Sequence, residues 1–344
     1  MNAVVKDSIV TKHLSLTPVC DVVYARATTC EKMNEYENSL FKQIYEFVVT
    51  ELEMNGQYGT AHVCGSVLRS VMAFGGEGLP VSGITPLWLK AYEGYLLHKG
   101  GKGLAWNTVS TYMRMLQAVY NRAVARKLAA FIPHQFRDVF TGRKADHRRV
   151  LERDDMQKLL VEREPDITSP GMAWARACLE LMFRFHGMPF VDLAHLRKSD
   201  LKDGYLTLRR RKTGMPLSAR VDGRAMQLLE RYRNRDDTSP YLLCFLDGNL
   251  EGMAAYRDYQ RILRLLNSRL RALALWKKVQ GKVTSYSARH TWATVGRYCH
   301  IPIEVISEGL GHASVTTTEG YMKGFGNSRM DRANKVIMNY IFKG

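Results

Sequence analysis

Apolar residues recur at three- and four-residue spacing along most of this chain, and residues 201–221 are an exception that alternates like strands. Leu40, Ile44, Phe47 and Val48 share one face within residues 33–54, and the pattern repeats over 60–74 before Gly75 and Gly76 interrupt it. Thr85 and Pro86 open a third helix through Leu89 and Tyr92 to Leu97, because a missing N–H costs nothing in a first helical turn. Asn107 or Thr108 caps the next, which carries Val109, Met113, Leu116, Tyr120 and Val124 as an apolar stripe and Ser110, Arg114, Gln117 and Asn121 as a polar one. Asp154 or Asp155 starts another helix, residues 172–186 read as a core helix, and helices resume from 256–275 to the end. The exception holds Tyr205, Thr207 and Leu208, a turn signal at Lys212, Thr213 and Gly214, and a second run over 215–221. That is a β-hairpin, so the fold class is mainly α with one small antiparallel sheet.

A length of 344 residues predicts two domains. The basic, weakly apolar segment TGRKADHRRVLER places the boundary, giving a helical domain over 31–141, a linker over 142–153 and a second domain over 154–326. Residues 1–30 form an arm or tail, and residues 327–344, with Met330, Ala333, Ile337 and Ile341 on one face, form a terminal helix too short to stand without a docking surface.

Charge narrows the function. Fifty Lys and Arg against 33 Asp and Glu leave +17, which self-repels without an anionic partner, and nucleic acid fits best. No apolar run approaches the roughly 18 residues of a spanning helix, and no basic-then-apolar signal opens the chain, so a membrane is not expected and a cytoplasmic location beside the nucleoid is. Cys20, Cys30, Cys64, Cys178, Cys244 and Cys299 show no CxxC pair or zinc spacing, and read as reduced, mostly buried residues with no metal to hold. Arg114, Arg122 and Arg126 on the fourth helix, Arg143, Lys144, Arg148 and Arg149 in the linker, and Arg209 and Arg211 in the hairpin are the DNA-binding candidates; a solvated face is the competing reading of each run.

The chemistry lies in residues 284–323. Ala288-Arg289-His290-Thr291 is followed by Leu310-Gly311-His312 and then by Thr316-Thr317-Thr318-Glu319-Gly320-Tyr321, with Arg289 and His312 separated by 23 positions and His312 and Tyr321 by 9. In order and separation these elements resemble the tyrosine recombinases of the phage integrase family. The resemblance is strong over residues 154–321, weaker over 33–141, and silent on 1–30. It implies an all-helical core-binding (SAM-like) domain followed by an α+β catalytic domain.

In-line attack on a phosphodiester builds negative charge on its non-bridging oxygens, which a planar guanidinium neutralises at two points; Arg289 takes that role. His312 can donate to the phosphate or move a proton. Tyr321 is the nucleophile the resemblance implies, its phenol needing nearby cations to ionise at neutral pH. The resulting 3′-phosphotyrosyl bond keeps the energy of the broken linkage, so no cofactor, ATP or metal is expected. Lys212 matches the family's hairpin lysine, which protonates the departing 5′-oxygen.

Two positions depart from the family. Tyr286 stands where a histidine is usual, either donating to phosphate or packing as an aromatic. Pro189, in Gly187-Met188-Pro189-Phe190-Val191-Asp192-Leu193, stands where the family carries its first arginine. His186, Arg184 or Arg210 is left to supply that charge. Arg210 is favoured, because a strand running from Tyr205 to Lys212 would turn Arg210 and Lys212 to one face and Arg209 and Arg211 to the other. The expected function is site-specific recombination, integrating and excising a mobile element or inverting a DNA segment. The expected partners are double-stranded DNA with inverted-repeat sites, further copies of the chain in a tetramer and accessory DNA-bending proteins. A DNA-binding protein of the same fold without cleavage and a type IB topoisomerase remain as alternatives.

Overall fold

The computed structural model describes residues 40–144, 150–160, 169–312, 314–319 and 334. It divides into two compact units, residues 1–144 and 145–344. The expected arm at 1–30 and terminal helix at 327–344 fall outside the described residues, Asn334 excepted.

The first unit is helical. α1 (Phe41–Met54) buries Phe41, Ile44, Tyr45, Val48 and Leu52, spaced so that one stripe meets α2 (Tyr58–Gly75) through Ala61, Cys64, Val67 and Val71. α3 (Pro86–His98) begins where Thr85 accepts a hydrogen bond from the Trp88 N–H at 3.1 Å, with Pro86 in the first turn. α4 (Trp106–Ala125) packs on α1, α2 and α3 through Val109, Met113, Leu116, Val119, Tyr120 and Ala123. Its start differs from the expected cap. Ala105 holds the N-cap position without a side-chain bond, and Asn107 instead brackets the Lys144 backbone, its amide donating to the Lys144 carbonyl and its carbonyl accepting the Lys144 N–H, both at 2.8 Å.

The second unit is built round α6 (Pro170–Arg184), whose middle is buried on every side: Ala175, Ala177, Cys178, Leu179, Leu181 and Met182, together with Arg176 and Glu180. α5 (Arg153–Leu160), α8 (Gly223–Arg231), α9 (Gly252–Trp276) and α10 (Ser287–Tyr298) pack against it. α6 stops at Arg184, two residues before the expected end, because His186 and Gly187 take consecutive left-handed conformations (φ 55° and 66°) and lead into the short α7 (Phe190–Ala194). α11 (Ile303–Leu310) and α12 (Val315–Glu319) complete the described chain.

The expected hairpin is a three-stranded antiparallel sheet, β1 (Leu201–Lys202), β2 (Tyr205–Arg209) and β3 (Pro216–Arg220). The Asp203-Gly204 turn, both residues at positive φ, supplies the tight connection that adds β1. Leu206 pairs with Ala219 and Leu208 with Leu217, which places Leu206, Leu217 and Ala219 in the core and leaves alternate residues to solvent.

Among the described residues no helix is long and apolar enough to cross a membrane, and no group of three His, Cys, Asp or Glu is placed to hold a metal. Cys64 and Cys178 are buried, whereas Cys244 and Cys299, in a loop and at the end of α10, are exposed, so burial is not general among the described cysteines.

Candidate active site

Arg289 lies on the inner face of α10, between buried Ala288 and Thr291, and is 2% exposed. Its Nη1 donates to the Gly187 carbonyl at 3.1 Å, and its Nη2 to the Leu310 carbonyl and to His312 Nε2, each at 2.7 Å. This requires the chain at Gly187 to pass directly over α10. A Cβ there would sit 2.9 Å from the Arg289 Cα, and φ is already 66°, so glycine alone fits.

Arg210 reaches the same place from the sheet. β2 ends at Arg209, and the Gly214 N–H donating to the Arg210 carbonyl (2.8 Å) and the Arg210 N–H donating to the Met215 carbonyl (2.9 Å) close a loop. The side chain, 5% exposed, turns inward: Nε donates to Asp192 Oδ2 at 3.0 Å, and Nη1 to the carbonyls of Leu310 and Gly311. The other Asp192 oxygen accepts the Arg211 N–H at 2.9 Å. Strand alternation as far as Lys212, the expected basis for pairing Arg210 with Lys212, is therefore corrected: Arg210 is buried, while Arg209 at the end of β2 and Arg211 and Lys212 on the turn are exposed. The carbonyl end of α11, the negative end of its dipole, thus collects two guanidiniums. Gly311 permits it, with φ 61° and a hypothetical Cβ only 2.6 Å from Arg210 Cδ.

His312 joins the two arginines. Its Nδ1 lies 2.8 Å from the Thr318 hydroxyl, and its pKa is lowered to about 4, first by burial and then by the charges of Arg289, Arg210 and Lys212. At neutral pH it is an uncharged imidazole, and Lys212, though exposed, is close enough to act on it.

The other candidates make different contacts. His186 packs its ring on Trp292 (centroids 5.6 Å apart), and burial lowers its pKa, so it contributes no full charge at neutral pH. Arg184 is committed elsewhere, to Glu180 at 2.9 Å and Asp222 at 2.6 Å. Tyr286, 38% exposed, opens α10 and faces the His290 ring at 6.0 Å. Arg209 donates to the Gly214 carbonyl at 3.2 Å. Tyr321 falls outside the described residues. The sequence placed Asp192 and Thr318 within motifs but gave neither a role; both are buried, Thr318 fully.

In the first unit, Arg114 is exposed on α4 but Ser110 is buried, its hydroxyl donating to the Gly142 carbonyl at 2.6 Å, so the polar stripe is not wholly a solvent face. Arg122 and Arg126 both meet Glu51 of α1, at 3.4 and 3.2 Å, an acid that the spacing along α4 did not reveal. Lys144 lies over Trp106, 4.3 Å from its centroid, and Arg143 is exposed, whereas Arg148 and Arg149 fall outside the described residues.

Comparison with known proteins bears on both units. The phage integrase SAM-like domain model matches residues 39–137, and the phage integrase family model matches residues 149–325. The tyrosine recombinase XerA of Pyrococcus furiosus is 29% identical over 140 residues, 40% of this chain and 46% of that protein, so the match spans under half of the relative's length. A Sinorhizobium fredii protein described as integrase/recombinase y4gC is 27% identical over 180 residues, 51% of this chain and 88% of that one. Among solved structures, a lambda integrase dimer bound to a COC′ core site superposes with a TM-score of 0.59 at 16% identity, covering 87% of this chain and 83% of that one. The Tn1549 transposon integrase in complex with transposon right end DNA gives 0.60 at 17% identity, covering 88% and 99%. At these identities the structural likeness speaks for the fold.

Proposed function

This chain belongs to the phage integrase family, and from that premise we propose that it is a site-specific tyrosine recombinase that cleaves and rejoins DNA through a 3′-phosphotyrosyl intermediate on Tyr321. The observation that carries the reading is the meeting of Arg289, Arg210 and His312 at the carbonyl end of α11, drawn from three separate stretches of sequence. Two buried guanidiniums side by side suit a ligand that carries negative charge and offers several acceptor oxygens, as a scissile phosphate does.

In this reading the Tyr321 phenol releases its proton to water, its oxygen bonds to phosphorus while the bond from phosphorus to the 5′-oxygen breaks, and Lys212 gives that oxygen a proton. Ligation is the same step reversed, with the 5′-hydroxyl as nucleophile. Arg210 takes the charge that Pro189 cannot supply. Its burial beside Arg289 supports this, as does the neutral state of His186 and the pairing of Arg184 with two acids. Tyr286, half exposed at the start of α10, can donate to the same phosphate from its outer side.

The substrate is double-stranded DNA with inverted-repeat sites. The product is an integrated or excised mobile element, or an inverted segment. Four copies assemble on two sites with accessory DNA-bending proteins, in the cytoplasm beside the nucleoid. Arg114, Arg143, Lys144, Arg148, Arg149, Arg209 and Arg211 face the phosphates, and Arg122 and Arg126 join them by leaving Glu51. The alternative, a DNA-binding protein without cleavage, is motivated by Pro189 and Tyr286.

One experiment separates the two. A pool of singly nicked duplexes, randomised around the nick, is incubated with the protein, and DNA held covalently on a denaturing gel is sequenced. Wild type should yield a resistant adduct with a consensus sequence, including in EDTA. Tyr321→Phe should yield none while still retarding the selected DNA. An adduct persisting in Tyr321→Phe places the nucleophile elsewhere, and no adduct from either protein favours binding alone.

A further inference from the structure

The hydrogen bonds around His312 determine which of its nitrogens carries the proton. A guanidinium has donors and no acceptor, so the 2.7 Å contact from Arg289 Nη2 requires a lone pair on His312 Nε2. In the neutral imidazole the proton must then sit on Nδ1, and the Thr318 hydroxyl oxygen, 2.8 Å away, accepts it. Thr318 is 0% exposed and lies on α12, which packs against α11, the helix whose last carbonyl holds both arginines. In sequence it stands three positions before Tyr321.

We propose that Thr318 is a positioning residue for strand cleavage, fixing the His312 tautomer with Nε2 as acceptor and tying the segment that bears the nucleophile to the arginine pair. The proposal rests on the reading of this site as a recombinase centre and adds to it a group that acts through His312. Without the hydroxyl, Nδ1–H would lack this buried acceptor, and the tautomer with the proton on Nε2, which cannot accept from Arg289, would become competitive. Burial first, and then the charges of Arg289 on α10 and of Arg210 and Lys212 on the hairpin turn, disfavour the imidazolium. The hydroxyl therefore acts by choosing between neutral forms. One bond also makes two events dependent on each other: a shift of α12 loosens His312, and a change of tautomer at His312 frees α12.

The test compares Thr318→Val, which keeps the branched shape and removes the hydroxyl, with Thr318→Ser, which keeps the hydroxyl. Nitrogen-15 spectra of histidine-labelled protein without DNA, with His312 assigned by its loss in His312→Gln, report the tautomer independently of cleavage. Wild type and Thr318→Ser should show Nδ1 protonated, and Thr318→Val a mixture. Adduct formation on the selected nicked duplex should fall about 10- to 100-fold in Thr318→Val, the range typical for partners that orient a functional histidine, and return in Thr318→Ser, with DNA affinity unchanged. An unaltered tautomer in Thr318→Val overturns the proposal, as does an equal loss of adduct in both variants, which would assign Thr318 to packing alone. Should wild type form no adduct while the tautomer shifts as expected, the recombinase reading fails and the tautomer assignment stands.

Discussion

Removing Asp192 should destabilise the second unit far more than removing Asp192 and Arg210 together. The pair is almost wholly out of water, with side chains 1% and 5% exposed and an Nε to Oδ2 distance of 3.0 Å. At that separation the attraction is on the order of 5 kcal/mol for an effective dielectric constant near 20, and desolvation of the two ions offsets most of it. The net contribution of the intact pair is therefore small, but Asp192→Ala leaves a guanidinium buried without its counter-charge and costs about 3–5 kcal/mol. It also orphans the Arg211 N–H, which Asp192 accepts at 2.9 Å. The double variant Asp192→Leu with Arg210→Met replaces both ions by apolar groups, and its deficit should shrink to the roughly 1–3 kcal/mol of that orphaned donor. Hydrogen exchange in a urea series, read on peptides from α6 and α9, isolates the second unit from the first. Cleavage should not follow stability. The double variant should fold yet lack one of the two buried guanidiniums of the proposed phosphate site, and its adduct rate should drop by about 10² to 10³. A cost of less than about 1 kcal/mol for the single variant, or wild-type cleavage by a stable double variant, would contradict a buried, catalytically used pair.

Acid should destabilise the second unit partly through His312. Its folded pKa of about 4 lies below the ordinary 6.5, so between those values the unfolded chain binds more protons and stability falls as pH drops through the window. His195, held at about 4 chiefly by burial, contributes in the same range, so subtracting a His312→Gln titration from wild type should isolate the His312 share; a difference independent of pH would contradict the assignment. Gly187→Ala meets both the strained φ and the Arg289 backbone at 2.9 Å, and should cost more than the roughly 1–2 kcal/mol of the left-handed conformation alone, with loss of adduct; a neutral effect in urea would mean that the close approach relaxes freely. DNA affinity should fall steeply with salt, log K dropping by about 0.9 for each phosphate contact per log unit of salt, as measured by fluorescence anisotropy on the selected duplex; a flat dependence is incompatible with binding led by the +17 chain.

The sequence by itself determined the helices and the motif residues. Apolar spacing located α1, α2, α4, α6 and α9 because a helix that buries one face must repeat along that face, and this periodicity is a local property. Arg289, Lys212 and His312 were singled out because their order and spacing resemble the phage integrase family, and the structure brings Arg289 and His312 into contact. Contacts between distant segments were not legible. Nothing near Arg122 indicates that Glu51, 71 positions away, will meet it, and although strand alternation set Arg210 and Lys212 apart from Arg209 and Arg211, it did not mark Arg210 alone as the one to be buried. Only tertiary structure decided that, by ending β2 at Arg209 and placing the Asp192 carboxylate and the carbonyl end of α11 where that side chain turns inward. The physical reason is that burying a charge is tolerable only where partners converge from several elements, and such convergence exists only once those elements have packed.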